Sequence, residues 1–243
     1  TSVHWREAWK YGERAFRYCQ HDVGHAIGAA RLSAATLGWR MMLLDGVSQV
    51  TVGLLLGTSR QDDFQHAEQE HPDCLAVLWP RETHGIRRTE SIPLFVDPAA
   101  VAELAEEQWH GRANRLSREH GVHWDVIDEA AIASWKHQVD RRTIQRTVPE
   151  GCPVDGKIRC VGAAAQIIRQ RRSAVAFDGT TSMSSARFFR MLRLVMPQVV
   201  GHSVERAVPW DVWPYEPAIH LMLFVHRIDG LTPGIYFLLR DPA

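Results

Sequence analysis

Residues 14–39, RAFRYCQHDVGHAIGAARLSAATLGW, constrain the fold of this chain more than any other stretch. Val23, Ala26, Ile27, Ala30, Ala34 and Leu37 recur at three- and four-residue spacing, the signature of one buried helix face. Gly24, Gly28, Ala29 and Ala35 put small residues on the adjoining faces. Glycine costs a helix about 1 kcal/mol relative to alanine, so two of them predict a close-packed neighbour. Gly38 supplies the stop before Trp39. A helix this long and this apolar on one side is the central helix of a domain or of a dimer-like interface.

The same helix carries HDVGH. His21 and His25 stand four apart and therefore share a face, with Asp22 between them. The spacing imitates H-E-x-x-H, in which two imidazoles bind zinc and a glutamate acts as base. Asp22 is one methylene shorter than that glutamate, and no third ligand stands at a diagnostic spacing. In a chain with thirteen histidines such a pair arises readily by chance. The plainer reading is a helix-start cluster hydrogen-bonded to its neighbours, with no transition metal. A zinc hydrolase built on HDVGH is the least favoured function.

Composition narrows the classes. At 243 residues, 45% apolar and 23% charged, the chain belongs with ordinary globular proteins of one large domain or two small ones. Twenty-eight basic residues balance twenty-eight acidic ones, which argues against a nucleic-acid binder relying on broad positive charge. Cys19, Cys74, Cys152 and Cys160 are scattered without C-x-x-C pairing and read as free thiols of a reducing, cytoplasmic compartment. No apolar run approaches the roughly 20 residues of a membrane span. The polar start without an initiator methionine, and the end at Arg240-Asp241-Pro242-Ala243, lead us to expect an interior piece of a longer polypeptide.

Taken in order, residues 3–20 read as helical, with Trp5, Trp9, Phe16 and Cys19 at rough helical spacing and a weak point at Gly12. MMLL after Trp39 reads as a buried strand, and Asp45 as the cap of a helix over 47–56 closed by Gly57. CLAVLW, residues 74–79, is a second buried strand. Helices are expected over 98–116 and over 130–137 with Asp128 as cap, and an extended arm over 109–124 packing on a neighbouring unit. Asp62-Asp63 and Glu68-x-Glu70 read as a solvated acidic face. A domain junction falls within 141–159. Beyond it, helices are expected over 161–170 and 182–195, the latter capped by Ser184 or Ser182 with Phe188, Met191, Leu192 and Val195 inward. IHLMLFVHR and GIYFLL, on either side of Asp229-Gly230, read as a β-hairpin.

The local motif with the most chemistry is IIRQRRSAVAFDG, residues 167–179. Arg171, Arg172 and Ser173 stand where a helix gives way to an extended segment. Guanidinium groups beside a hydroxyl suit a phosphate, through charge-assisted bonds from arginine and a short donor from serine. A solvated arginine cluster at a helix end, where cations favour the dipole, fits the same spacing.

RRSAVAFDG followed by a capped helix resembles the opening of the nitroreductase-like flavoprotein fold, whose usual pattern is R-R-S-x-R/K-x-F. Ile228-Asp229-Gly230-Leu231-Thr232-Pro233-Gly234-Ile235-Tyr236 resembles the V-x-G-L-x-P-G-x-Y turn of the SagB-type dehydrogenase branch. Residues 9–39 are similar to the central helix in the second half of the same domain type. The order of these segments implies two tandem nitroreductase-like units: residues 1–150 hold the later part of a first, with a C-terminal arm, and 151–243 the early part of a second. The resemblance implies α+β architecture, a homodimer or intramolecular pseudo-dimer, FMN at that interface, and two-electron redox of a small-molecule or peptide substrate. Position by position, Arg171 would contact the flavin phosphate or ribityl chain, with Arg172 and Ser173 beside it. The family's next basic residue falls on Val175, and Pro214-Tyr215-Glu216-Pro217-Ala218 stands where a small Ser/Gly-rich flavin loop is usual. Those departures motivate the alternative, a non-catalytic scaffold of the same fold.

Overall fold

The helical pattern that opens the chain breaks once, at a glycine. In the computed structural model, which describes residues 1–80, 96–116, 122–137, 163–197 and 206–240, helix α1 (His4–Tyr11) stops where Gly12 takes a φ of 58°. A 3-10 turn over Gly12–Arg14 redirects the chain into α2 (Ala15–Thr36). A Cβ on Gly12 would lie 3.2 Å from the Trp124 ring, so the bend is also a close approach. The chain divides into two units, Thr1–Ile144 and Gln145–Ala243.

In the first unit α2 is the long central helix, but its buried face is rotated from the expected one. Cys19, Ile27, Arg31 and Ala34 are buried, Val23 and Ala30 half-buried, and Ala26 and Leu37 exposed. Arg31 is the reason the pattern misled: its stem is buried while its Nη1 donates to the Trp39 carbonyl at 3.3 Å. No described heavy atom lies within 4 Å of a Cβ placed on Gly24 or Gly28, so the close-packed neighbour inferred from them is not there among the described residues. Trp9, at helical spacing from Trp5, is 73% exposed. The core joins α1, α2 and α5 (Asp125–Ala133) through Ala8, Ala15 and Ile127, with Phe16 packed against them.

After Gly38, strand β1 (Trp39–Leu43) pairs antiparallel with β2 (Ala76–Pro80), Met41 opposite Leu78. Helix α3 (Gln49–Leu56) is capped by Ser48, whose Oγ accepts from the Thr51 N–H at 3.1 Å. Asp45, the expected cap, instead offers its backbone carbonyl to Lys136 Nζ. Helix α4 (Pro98–Ala105) is capped by Asp97 and ends well short of residue 116. Helix α5 is entered from Trp124, with Asp128 inside its first turn rather than at the cap.

The described parts of the expected arm fold on their own unit. The Trp109 ring sits over Gly57, 2.8 Å from where a Cβ would stand, and the Leu116 N–H donates to Glu68 Oε2 at 2.7 Å. Glu68 is buried by that bond, a correction to the solvated acidic face; Asp63 stays outside and pairs with Arg60 at 2.7 Å.

The second unit begins with α6 (Ala164–Gln170), followed by an extended, exposed segment over 171–182. Strand β3 (Met183–Ser184) leads into α7 (Ser185–Leu194), capped by Ser184. Phe188, Leu192 and Val195 are half-buried, while Met191 is exposed. The hairpin is present: β4 (Leu221–Val225) pairs antiparallel with β6 (Gly234–Leu238), Leu223 opposite Tyr236. Between them β5 (Ile228–Asp229) pairs parallel with β3, a link the sequence did not announce. Helix and sheet are thus mixed, with two antiparallel pairs and one parallel one, as an α+β chain requires. No described helix is long and apolar enough to cross a membrane.

Candidate functional site

The phosphate-like motif is displayed on the surface. Helix α6 ends because Arg171 leaves helical geometry, ψ 143°, after its N–H bonds the Ile167 carbonyl at 2.9 Å. Arg171, Arg172 and Ser173 are all exposed. Arg172 Nη1 is turned onto its own helix end, donating to the carbonyls of Arg169 at 2.9 Å and Arg171 at 2.8 Å. That placement satisfies orphan helix-terminal acceptors and opposes the dipole. Arg171 is left without a carboxylate at ion-pair distance among the described residues.

The strand-like run beyond them is equally open: Val175 is 99% exposed and Phe177 84%. It turns at Asp178, whose carboxylate accepts from the N–H groups of Thr180 and Thr181 and from the Thr181 hydroxyl. These bonds hold the Asp178 carboxyl well below the usual carboxylate range, and Arg227 adds to the effect.

The loop over 213–216 has an anchor that sequence reading missed. Arg206 is buried; its Nη1 donates to the carbonyls of Trp213 at 3.0 Å and Tyr215 at 2.6 Å, and its Nη2 pairs with Glu216. One guanidinium fork therefore fixes the stretch from 213 to 216.

HDVGH offers two imidazoles and little else. His25 and Asp22 are exposed and 3.7 Å apart, and the His21 ring meets Tyr18 edge-on. Among the described residues no three His, Cys, Asp or Glu side chains are placed to hold one metal ion.

The most enclosed chemistry lies elsewhere, in the first unit, on residues the sequence did not single out. Backbone bonds in both directions between Ser2 and His71, 2.9 and 2.8 Å, set the start of α1 against the 71–73 strap. Ser2 Oγ donates to Asp73 Oδ2 at 2.8 Å. Two residues into this bridge, His4 stacks on His71 with centroids 4.0 Å apart and planes 16° from parallel. Phe16 meets the His4 ring edge-on at 5.2 Å. His4 is 4% exposed, and neither ring nitrogen has a hydrogen-bond partner among the described residues.

These rings line a cavity of about 180 Å³ that Gln49, Ser134 and Trp135 help to close. Gln49 ties three walls together: Nε2 donates to the Pro72 carbonyl at 3.1 Å and Oε1 accepts from the Lys136 N–H at 2.6 Å. Burial, reinforced by the neighbouring His71, pushes the His4 imidazolium down to about 4, and burial lowers His71 despite Asp128 and Asp73. Both rings are therefore neutral at pH 7, each with one donor and one acceptor nitrogen. The only sequence signal was His4 standing four before Ala8 on the inward face of α1; the contribution of His71 is nonlocal.

Searches against family models, curated proteins and solved structures returned no match. The functional reading rests on the residues themselves.

Proposed function

We propose that this chain is a nitroreductase-like FMN-dependent oxidoreductase acting on a small-molecule or peptide substrate. The observation that carries the reading is Arg171, exposed at the end of α6 beside Ser173 and free of any described carboxylate. These two groups fit the phosphate end of FMN. The whole segment over 171–182 is exposed, so the reading calls for a second surface to cover the isoalloxazine ring, a homodimer partner or a pseudo-dimer half. When bound, the flavin supplies the two-electron chemistry, while the protein positions it and sets its polarity.

A charge-assisted hydrogen bond contributes about 1.5–3 kcal/mol, so Arg171→Ala should weaken FMN affinity roughly 10- to 150-fold. The fold should survive, because the side chain is exposed. Titration of FMN into wild type and variant, followed by flavin fluorescence, measures both affinities. Equal values would remove Arg171 from the site. Absence of binding by either would favour the scaffold reading, which the exposure of Val175 and the braced 213–216 loop support.

A further inference from the structure

Every residue from 163 to 182 is exposed, and one peptide bond in that stretch is surrounded by arginine. Arg169-Gln170-Arg171-Arg172 is the only place in the chain where three arginines fall within four residues. Ser173 and Ala174, both small, follow directly. The backbone from 171 to 178 is extended or irregular and has no strand partner among the described residues. Upstream, α6 is seven residues long and has no buried residue. Among the described residues, the hydrogen bonds of 163–172 close on that same stretch, including those of the Arg172 side chain to the Arg169 and Arg171 carbonyls. Helices shorter than about 12–15 residues are marginal without packing, so the last turn of α6 unwinds at little cost.

We propose that the Arg172–Ser173 bond is a processing site for a serine endoprotease selective for clustered arginines. Such an enzyme takes its substrate as an extended strand and seats the arginine before the cut on a buried carboxylate. Arg172 fills that position. Arg171 and Arg169 supply further charge-assisted bonds to carboxylates of neighbouring pockets once the end of α6 is drawn out. Hydrolysis breaks the bond between the Arg172 carbonyl carbon and the Ser173 nitrogen. Water supplies the oxygen of the new carboxylate and the proton of the departing amine, and nothing is oxidised or reduced. The elements downstream hold one another: β3 pairs with β5, the Met183 N–H donates to the Arg227 carbonyl at 3.0 Å, and the Trp210 indole donates to the Leu194 carbonyl at 3.1 Å. The released piece, 173–243, keeps all of these. The proposal does not rest on the flavin reading, and its test contains no flavin.

The full chain is incubated with a subtilisin-type endoprotease selective for paired arginines, and separately with thermolysin, which cuts before bulky apolar residues. Intact masses are followed with time. The arginine-selective enzyme should give 1–172 and 173–243 as its first products, and 173–243 should accumulate. Arg172→Gln should slow that cut at least about a hundredfold, because a pocket built for a charged donor rejects a side chain without the charge. Thermolysin should open the same segment, before Val175 or Phe177, in wild type and variant alike. A first cut at either of the other arginine pairs, Arg87-Arg88 or Arg141-Arg142, would overturn the proposal. So would equal cleavage of Arg172→Gln, or thermolysin cleavage of a segment that the arginine-selective enzyme leaves intact. Resistance to both enzymes would show the segment to be covered, and would overturn it as well.

Discussion

A buried imidazole stacked on a half-buried one gives the stability of the first unit a pH dependence of definite sign. The unfolded value of His4 is 6.5 and the folded one about 4, lowered by burial and then by His71. Above pH 6.5 neither state is charged and stability is full. Between 6.5 and 4 the unfolded chain takes up a proton that the folded one refuses, so stability falls; below 4 the loss levels off. The drop attributable to His4 is roughly 1–3 kcal/mol. His71 acts in the same direction, opposed by Asp128 and Asp73. Urea midpoints between pH 7 and 4 should trace this slope, and His4→Phe should flatten it; an unchanged slope would detach it from His4. None of this was legible in the sequence, because burial of His4 depends on a strap some seventy residues away. Cysteine was easier to read: Cys19 and Cys74 are free thiols, and burial, with Glu7, Asp73 and Asp22 nearby, pushes the Cys19 thiol up to about 11. Cys152 and Cys160 lie outside the described residues.

Where an element's start or stop depends on one local residue, sequence and structure agree. Gly12 breaks α1, Gly38 follows α2, and Gly57 closes α3 with a φ of 71°. Where two candidates compete, the fold decides: α3 starts at Gln49, so Ser48 and not Asp45 stands at its cap. The arm was misread because sparse tryptophans look unpartnered until the chain returns on itself; Trp109 is partnered by a glycine, which carries no apolar signal. That contact makes Gly57 doubly sensitive. Alanine there would be forced into left-handed geometry, at about 1–2 kcal/mol, and would also press into the Trp109 ring 2.8 Å away. Gly57→Ala should therefore lose about 2 kcal/mol or more in chemical denaturation, with Trp109 fluorescence reporting the displaced ring. A neutral substitution would show that the ring gives way without cost.

At the scale of the whole molecule, the mixture of helix and sheet was legible because periods of 3.6 and 2 are written locally, whereas the pairing of β3 with β5 was not, being two residues long. The hairpin leaves much apolar surface uncovered: Met222, Phe224, Ile235 and Phe237 share one face and are 51–65% exposed. Exposed patches of this kind bind hydrophobic dyes. The native chain should enhance anilinonaphthalene sulfonate fluorescence, and Phe224→Lys with Phe237→Glu should reduce it; an unchanged signal would place the dye elsewhere. The opposite face, Leu221, Leu223, Val225, Tyr236 and Leu238, is apolar as well. In most hairpins a one-residue slip is punished because it turns the oily side to water. Here both sides are oily, so the rungs of this ladder carry almost no alignment information. It is held at the ends instead: the Tyr236 hydroxyl on the Thr232 carbonyl at one, Arg240 on His220 and the Ile219 carbonyl at the other. The hairpin is a zipper whose teeth are interchangeable and whose stops are not.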